Sequence, residues 1–589
     1  MNNSVKNNRR EFMVRAAVAV SVTGSIAACG GNDDPPEFKY GVASGDPLAD
    51  RVILWTHAQI PSSTKAVSLT WQVASDAAFN SVVSSGSATA TEATGFTAKV
   101  DATGLAAGNS YFYRFRDVNG NSGTVGTTRT LPAANAASVK FAVFSCSLYS
   151  EGYFNAYAEA AKSEAQYALH LGDYIYEYGA DPAKYGNKDA VALGRVTTPA
   201  NDIVSLADYR ARYALYRSDA NLQAVHAKMP WITVWDDHEF ANNGYVGGAE
   251  NHNPATQGDW NVRKANAAKA YHEWLPIRTP DAANLLKIYR RFDFGSLLTL
   301  HMLDTRIEGR DRQYDAFGDA DGGVGRYIAG LTPNAAGARP DAARKLISTE
   351  QQNWLTSGMQ ASSATWQFLG NQDVMAKLWI PASVLRAQGS GDANATGAAI
   401  NNYLTAKATR ATAGAAALTP AQAGLLNPAV NPTLPFNLDS WDGYPIARET
   451  ILQTVKAQNK KLVVLSGDSH NAWFSKLTTL SGERVGVEFA GSSVTSTGFE
   501  SFGLGALGSS LDGSVLASTL GASVIGAGLG LIDDLNFADT SRRGYMAITA
   551  TAASVKGEYI VLSGVKSTSY TAAVARTITV AASGAITYA

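Results

Sequence analysis

Between residue 38 and about residue 130, short runs such as Leu69-Thr70-Trp71-Gln72-Val73 and Tyr111-Phe112-Tyr113-Arg114-Phe115 alternate apolar with polar residues and recur between clusters of Gly, Ser and Asn. A period of two belongs to strands with one buried face, and the spacing predicts a small all-β sandwich of immunoglobulin or fibronectin kind over 38–131. From Val139 onward the pattern changes to short continuous apolar runs separated by helical stretches, clearest at 203–218 and 260–275. This is an α/β layout. Two stretches break it: 383–435 is rich in Ala, Asn and Gly, and 501–531 in Gly, Ala, Ser and Leu. Both read as insertions suited to lids or surface excursions, the second apolar enough to pack over a site or touch a membrane. After Arg543-Gly544-Tyr545, alternating Thr, Val, Ile and Tyr predict terminal strands over 547–589, and no internal repeat is evident.

Composition narrows the function classes. Lys plus Arg at 49 against Asp plus Glu at 50 leaves no basic field to hold nucleic acid or an acidic membrane by charge. Only Cys29 and Cys146 occur, so a disulfide framework is not expected. The segment Asn8-Arg9-Arg10-Glu11-Phe12-Met13 and the apolar run after it resemble a twin-arginine export signal. That run ends in Ile26-Ala27-Ala28-Cys29, which has the form of a lipobox whose cysteine carries the lipid. An ordinary secretory leader is the plainer alternative, and a spanning helix would need about 20 apolar residues, more than are present. The expected organisation is a leader over 1–29, a polar tether over 30–37, the β module over 38–131 and a catalytic α/β unit over 139–546, followed by the terminal strands. The product is expected to be periplasmic or on the cell surface, anchored through Cys29, with the twin-arginine machinery as its export partner. The β module has no clustered His or carboxylate set and is expected to be structural.

Several apolar runs stop at residues able to bind a metal. Phe141-Ala142-Val143-Phe144 leads into Ser145-Cys146, Tyr167-Ala168-Leu169-His170-Leu171 into Gly172-Asp173, and Trp231-Ile232-Thr233-Val234-Trp235 into Asp236-Asp237-His238-Glu239. Further along, one run ends at Asp304-Thr305-Arg306, another at Gly370-Asn371-Gln372, and a third at Ser466-Gly467-Asp468-Ser469-His470. Each end alone is no more than a turn or a cap. Together they point to one site, because sites in open α/β sheets lie at the carboxyl ends of strands. Asp173 and Tyr176 lie three apart, and Asp468 and His470 two apart on one side of an extended segment. Carboxylate, phenol and imidazole suit a hard divalent or trivalent ion.

These motifs, with Gly41-Val42-Ala43-Ser44-Gly45-Asp46-Pro47, His170-Leu171-Gly172-Asp173-Tyr174-Ile175-Tyr176-Glu177-Tyr178 and Asn242-Asn243, resemble those of the alkaline phosphatase D (PhoD-like) family. The likeness covers nearly all of the chain after the leader except the two insertions. It implies a metallophosphatase-type β-sandwich flanked by helices after the N-terminal module. It also implies Cys146, Asp173, Tyr176 and His470 on Fe3+, and Asp173, Asp237, Asp468 and Asn371 on Ca2+, with Asn242 or Asn243 also in reach. A lone cysteine is more often a small buried hydrophobe, but an unpaired thiol in an exported protein calls for shielding or a metal.

The resemblance implies hydrolysis of phosphate monoesters, and of diesters as well, by a hydroxide that the metals generate from water. His238 would protonate the leaving group or hold phosphate, with a structural hydrogen-bonding role equally open. Arg263 would meet the phosphoryl group, although the family's Arg-Arg pair reads Arg263-Lys264 here. Arg306 reads as a partner of Asp304, or as a surface ion pair. The expected substrates are small phosphate esters, with phospholipids and short nucleotides as wider options. Two other readings remain at this stage: a phosphodiesterase or phospholipase-D-type hydrolase, and a cell-surface binding lipoprotein.

Overall fold

A computed structural model of the chain describes residues 34–134, 136–314, 344–502, 505–521 and 526–589. The expected leader, with Arg9, Arg10 and Cys29, and the first half of the expected tether lie outside the described residues.

The continuous apolar runs become parallel strands because both of their faces are covered. In a 10-stranded sheet, Ser138–Phe144, Tyr167–His170 and Trp231–Thr233 run parallel side by side. In a 7-stranded sheet, Leu298–Met302, Trp366–Gly370, Leu462–Ser466 and Arg484–Ala490 do the same. The sheets face each other across a core that includes Phe141, Val143, Leu169 and Ile232 from the first and Leu300, Phe368, Val463 and Phe489 from the second. Each such side chain contributes about 1.5–3 kcal/mol on burial.

Helices cover the outer faces. Asn155–Lys162, Leu206–Arg217, Ala220–Lys228 and Trp260–Trp274 bury Tyr157, Tyr213, Leu222 and Tyr271 against Trp231 of the first sheet. Thr349–Ala361 and Pro445–Ala457 bury Leu355 and Ile451 against Val464 of the second. The helix predicted over 203–218 starts at Leu206 because Ser205 caps it: its hydroxyl accepts from Asp208 N while the Asp208 carboxylate accepts from Ser205 N.

The N-terminal segment is all-β and two-layered. Val67–Ala74, Val82–Ala90, Ser110–Arg116 and Gly126–Arg129 form one sheet, whose Leu69, Trp71 and Phe115 pack on Val42, Val52 and Leu54 of the other layer. It is not a separate body, however. Gly45 pairs with Trp231, so Val42–Gly45, Arg51–His57 and Thr97–Thr103 continue the 10-stranded sheet. Glu37, placed in the expected tether, already bridges to Gln59.

Two further expectations need correction. The boundary expected at 546 falls inside the strand Gly544–Thr551, which pairs directly with Ser138–Phe144. The terminal strands therefore complete the first sheet, and their Val555 and Ile578 belong to the inter-sheet core. The stretch 383–435 is no loose excursion either. Its Ala content expresses helix propensity, giving Ala382–Gly389, Ala393–Ala413 and Pro420–Leu425. Its root is closed where Trp379–Pro381 pairs with Thr433–Pro435. Within 501–531, the described Leu511 and Leu531 join the same outer core as Ile400 and Leu404. Lys407 Nζ then links the two stretches, reaching Gly530 O and Asp533 Oδ1, each at 2.6 Å. Among the described residues no helix is long and apolar enough to cross a membrane.

Candidate metal centre

The two sheets direct the carboxyl ends of their parallel strands to the same side, and the expected residues meet there. The first sheet supplies Cys146, Asp173, Asp236 and Asp237, and the second supplies Asn371, Asp373, Asp468 and His470. Donor atoms fall into four overlapping triads, each with its members within 4.8 Å of one another: Cys146-Asp173-His470, Asp173-Asp237-His238, Asp236-Asp237-Asp468 and Asp373-Asp439-Asp468. Asp173, Asp237 and Asp468 each belong to two triads, so neighbouring cations would share carboxylates. Tyr176 lies within the first group, its hydroxyl donating to Asp173 Oδ2 at 3.0 Å and lying 3.3 Å from His470 Nε2.

The turns that carry these residues are bent in an uncommon way. Cys146, Asp173, Asn243, Asp468 and His470 all have φ between 55° and 58°. This left-handed region costs a non-glycine residue roughly 1–3 kcal/mol and tends to cluster at functional sites. Two glycines allow the turns to approach one another: a Cβ on Gly172 would lie 2.3 Å from Asp236 Cβ, and one on Gly467 would lie 2.5 Å from Ser145 Cβ. Glu239 binds the loops together, accepting from Asp173 N at 3.0 Å, Asp236 N at 2.8 Å and Tyr174 N at 2.5 Å.

Crowded carboxylates set the electrostatics. Burial, reinforced by Asp237 and Glu239 and opposed by His238, pushes Asp173 up to about 8. Burial likewise raises Asp468 against the pull of Arg306, and it raises the Cys146 thiol, with Asp173 adding to the effect. Burial would lower His238, but Asp237, Asp173 and Glu177 together hold it up at about 10. His470 is pushed down to about 3 by burial and is therefore a neutral imidazole. Its Nδ1 donates to Thr497 O at 2.8 Å, which leaves the Nε2 lone pair directed at the first triad.

Other expected residues take different places. Arg263 does not meet this cluster in the way expected. It is buried beneath the loop before its helix, donating to Tyr209 Oη at 3.1 Å and to Asn251 O at 2.8 Å, because residues 251–257 fold over it. Asn371 is buried, and its Oδ1 accepts from Trp441 Nε1 at 3.1 Å, which leaves one lone pair for a cation. Asn242 and Asn243 turn their amides to Glu250. Asp304 caps a turn, accepting from Arg306 N and Ile307 N, both at 2.9 Å.

Arg306 is neither a partner of Asp304 through its side chain nor a surface residue. Its fully buried guanidinium reaches Asp236 Oδ1 at 2.5 Å, Asp468 Oδ1 at 2.7 Å and both Asp439 oxygens at 3.0 Å. Asp439, Asp373, Glu177 and Tyr185 escaped the sequence reading. Glu177 holds His238 Nδ1 at 2.6 Å, and Tyr185 Oη donates to Thr497 O at 2.8 Å while lying 3.1 Å from His470 Nδ1. Glu177 stands in a motif the sequence displays. Asp439 follows an Ala-rich stretch, and only the return of polar and aromatic residues at Asn437-Leu438-Asp439-Ser440-Trp441 marks it.

The donor set fits metal ions. Carboxylates outnumber the cationic partners Arg306, Arg310 and His238 in this buried region, and Asp236 Oδ2 has no hydrogen-bond partner. Unpaired buried charge is costly, and a bound cation removes that cost. Thiol, phenol and imidazole gather in the Cys146 group, whereas the two triads around Asp468 offer only carboxylate oxygens, the donors that hard cations take.

Comparison with known proteins gives concordant findings. A family model described as PhoD-like phosphatase matches residues 141–559, and one described as the PhoD-like phosphatase N-terminal domain matches 25–132. The chain is 34% identical over 524 residues to alkaline phosphatase D of Bacillus subtilis (strain 168), covering 84% of this chain and 78% of that protein. A solved structure described as "Structure of PhoD" superposes with a TM-score of 0.71 at 30% identity, covering 95% of this chain and 93% of the other.

Proposed function

Because the chain belongs to the PhoD-like phosphatase family and is a phosphoric ester hydrolase, we propose that it is metal-dependent and acts on phosphate monoesters and diesters at the end of the two-sheet core. The sharing of Asp173, Asp237 and Asp468 among the four donor triads carries this reading. Cys146, Asp173, Tyr176 and His470 would hold Fe3+, and Asp173, Asp237, Asp468 and Asn371 would hold Ca2+. When bound, such ions neutralise phosphoryl charge and make hydroxide accessible near neutral pH. The chain's own groups do the rest. Thr497 and Tyr185 orient His470, and Glu239 keeps the Asp173 and Asp236 turns together. Arg306 balances the charge of Asp236, Asp439 and Asp468. With Nδ1 held by Glu177, His238 presents Nε2 as the proton donor to the leaving oxygen.

Metal analysis combined with turnover of p-nitrophenyl phosphate and bis-p-nitrophenyl phosphate tests the proposal. Iron and calcium should be present, and chelation should abolish activity that calcium then restores. The ratio of the two catalytic efficiencies separates a phosphatase from a phosphodiesterase. Turnover of neither ester by metal-replete protein would sink the reading and favour a binding lipoprotein.

Folded export by the twin-arginine route and lipid attachment at Cys29, in the periplasm or at the cell surface, are supported by Arg9-Arg10 and by Ile26-Ala27-Ala28-Cys29. Replacing Arg9 and Arg10 with Lys should retain the precursor in the cytoplasm, and normal export of that variant would end this part of the proposal. The N-terminal β module, immunoglobulin- or fibronectin-like in kind, is proposed to be structural.

A further inference from the structure

A cavity of about 380 Å³ lies between the two stretches that break the sequence pattern, within the size range of small-molecule sites. Ile400 lines it from one stretch, and Leu511 and Leu531 from the other. Among the described residues no Lys or Arg lines it, so an anionic group would find no cationic partner there, and its one charged residue, Asp392, caps a helix by accepting from Asn394 N and Ala395 N. Most of its lining is aliphatic or aromatic, which suits an apolar occupant.

Three aromatic residues join this cavity to the metal centre. Trp473 lines it and donates from Nε1 to Ser469 Oγ at 2.8 Å, the residue between Asp468 and His470. Phe499 lines it and donates from its backbone N to Asn471 Oδ1 at 3.2 Å, two residues after the Thr497 carbonyl that orients His470. Phe436 meets Phe499 edge-on, with ring centroids 6.0 Å apart, and stands three residues before Asp439. Phe436, Phe499, Asp439, Asp468 and His470 are all partly exposed, and the Trp473–Ser469 hydrogen bond places the cavity wall beside the segment that carries Asp468 and His470.

We propose that this cavity is an apolar subsite of the hydrolytic centre and takes a linear alkyl chain carried by the phosphate ester. The inference rests on the phosphoesterase reading and specifies its substrate class. Full-length, metal-loaded protein should hydrolyse butyl, hexyl and octyl phosphate with kcat/KM rising about fourfold per methylene, a ratio that corresponds to 0.8 kcal/mol per buried methylene. Calorimetric binding of dodecyl phosphate below its micelle concentration should follow the same trend.

Gly397 supplies the control. It lines the cavity on the helix Ala393–Ala413, and a Cβ there would meet nothing within 4 Å. Gly397→Phe should fill the space, flatten the chain-length dependence and leave p-nitrophenyl phosphate turnover unchanged, with Gly397→Leu intermediate. A flat dependence in the parent protein, or an equal slope in Gly397→Phe, overturns the subsite while leaving the phosphoesterase reading intact. Chain-dependent binding lost in Gly397→Phe, without turnover of any ester, upholds the subsite and removes the phosphoesterase reading. Binding to anionic phospholipid vesicles but not to monomeric dodecyl phosphate assigns the surface to membrane contact and overturns the subsite.

Discussion

Glu177 and Arg306 act on the centre from behind the residues that would touch metal or substrate. Glu177 is a buried carboxylate whose oxygens engage His238 Nδ1, Asn242 N and Asn251 Nδ2. Glu177→Gln should lower kcat by about 10–100-fold, the usual cost of losing such an orienting partner, with little change in KM or bound metal. Steady-state kinetics beside metal analysis check this, and loss of metal in that variant would assign Glu177 a different role. Arg306 is the larger case, because removing it strands Asp236, Asp468 and Asp439 without their guanidinium. Breaking such a buried network costs about 3–5 kcal/mol. Arg306→Met should therefore lower the urea midpoint far more than Arg306→Lys, which retains the charge without the planar fork.

At the scale of elements, function depends on how closely the strand ends approach. The Gly172 turn packs so tightly on Asp236 that an added methyl group would overlap it, and its φ of +106° disfavours any side chain. Gly172→Ala should push Asp173 and Asp236 apart. A displacement near 1 Å costs about a hundredfold in rate, so turnover should fall by that order while circular dichroism stays unchanged. A variant with full activity would show that the turns relax without cost.

Across the molecule, five histidines outside the centre are held neutral by burial. His57 and His301 are pushed down to about 4, His170 and His272 to about 3, and His226 well below its ordinary value. Each takes up a proton near pH 6.5 when unfolded but not when folded. Their stabilisation is thus complete above about pH 6.5 and is lost as pH falls toward 4, at up to about 1.4 kcal/mol per pH unit for each histidine. Glu488 and Glu239, raised by burial to about 7, and Asp442 and Asp304, raised to about 6, work the other way, so the net slope is far less than five protons. In metal-loaded protein, whose liganding carboxylates stay ionised, the urea midpoint should fall between pH 6 and pH 4, and a midpoint that rises over that interval would contradict the assignment.

The amino-acid sequence by itself determined the strand cores, the capped helices and the turns bearing Cys146, Asp173, Asp237, Asp468 and His470. Periodicity and turn chemistry are properties of near neighbours, and each of these residues sits within a few positions of the run that positions it. The leader and its Cys29 were legible only as a pattern. Tertiary structure alone decided which carboxylates share a cation position, because that depends on two sheets stacking in register. It placed Arg306 among partners 70, 133 and 162 residues away, and set Arg263 under a loop where its helix position had suggested a phosphate contact. It also turned two stretches of low-complexity composition into the walls of one cavity. Nothing local distinguishes an alanine-rich helix that packs on a core from one that does not, because the difference lies in what stands opposite.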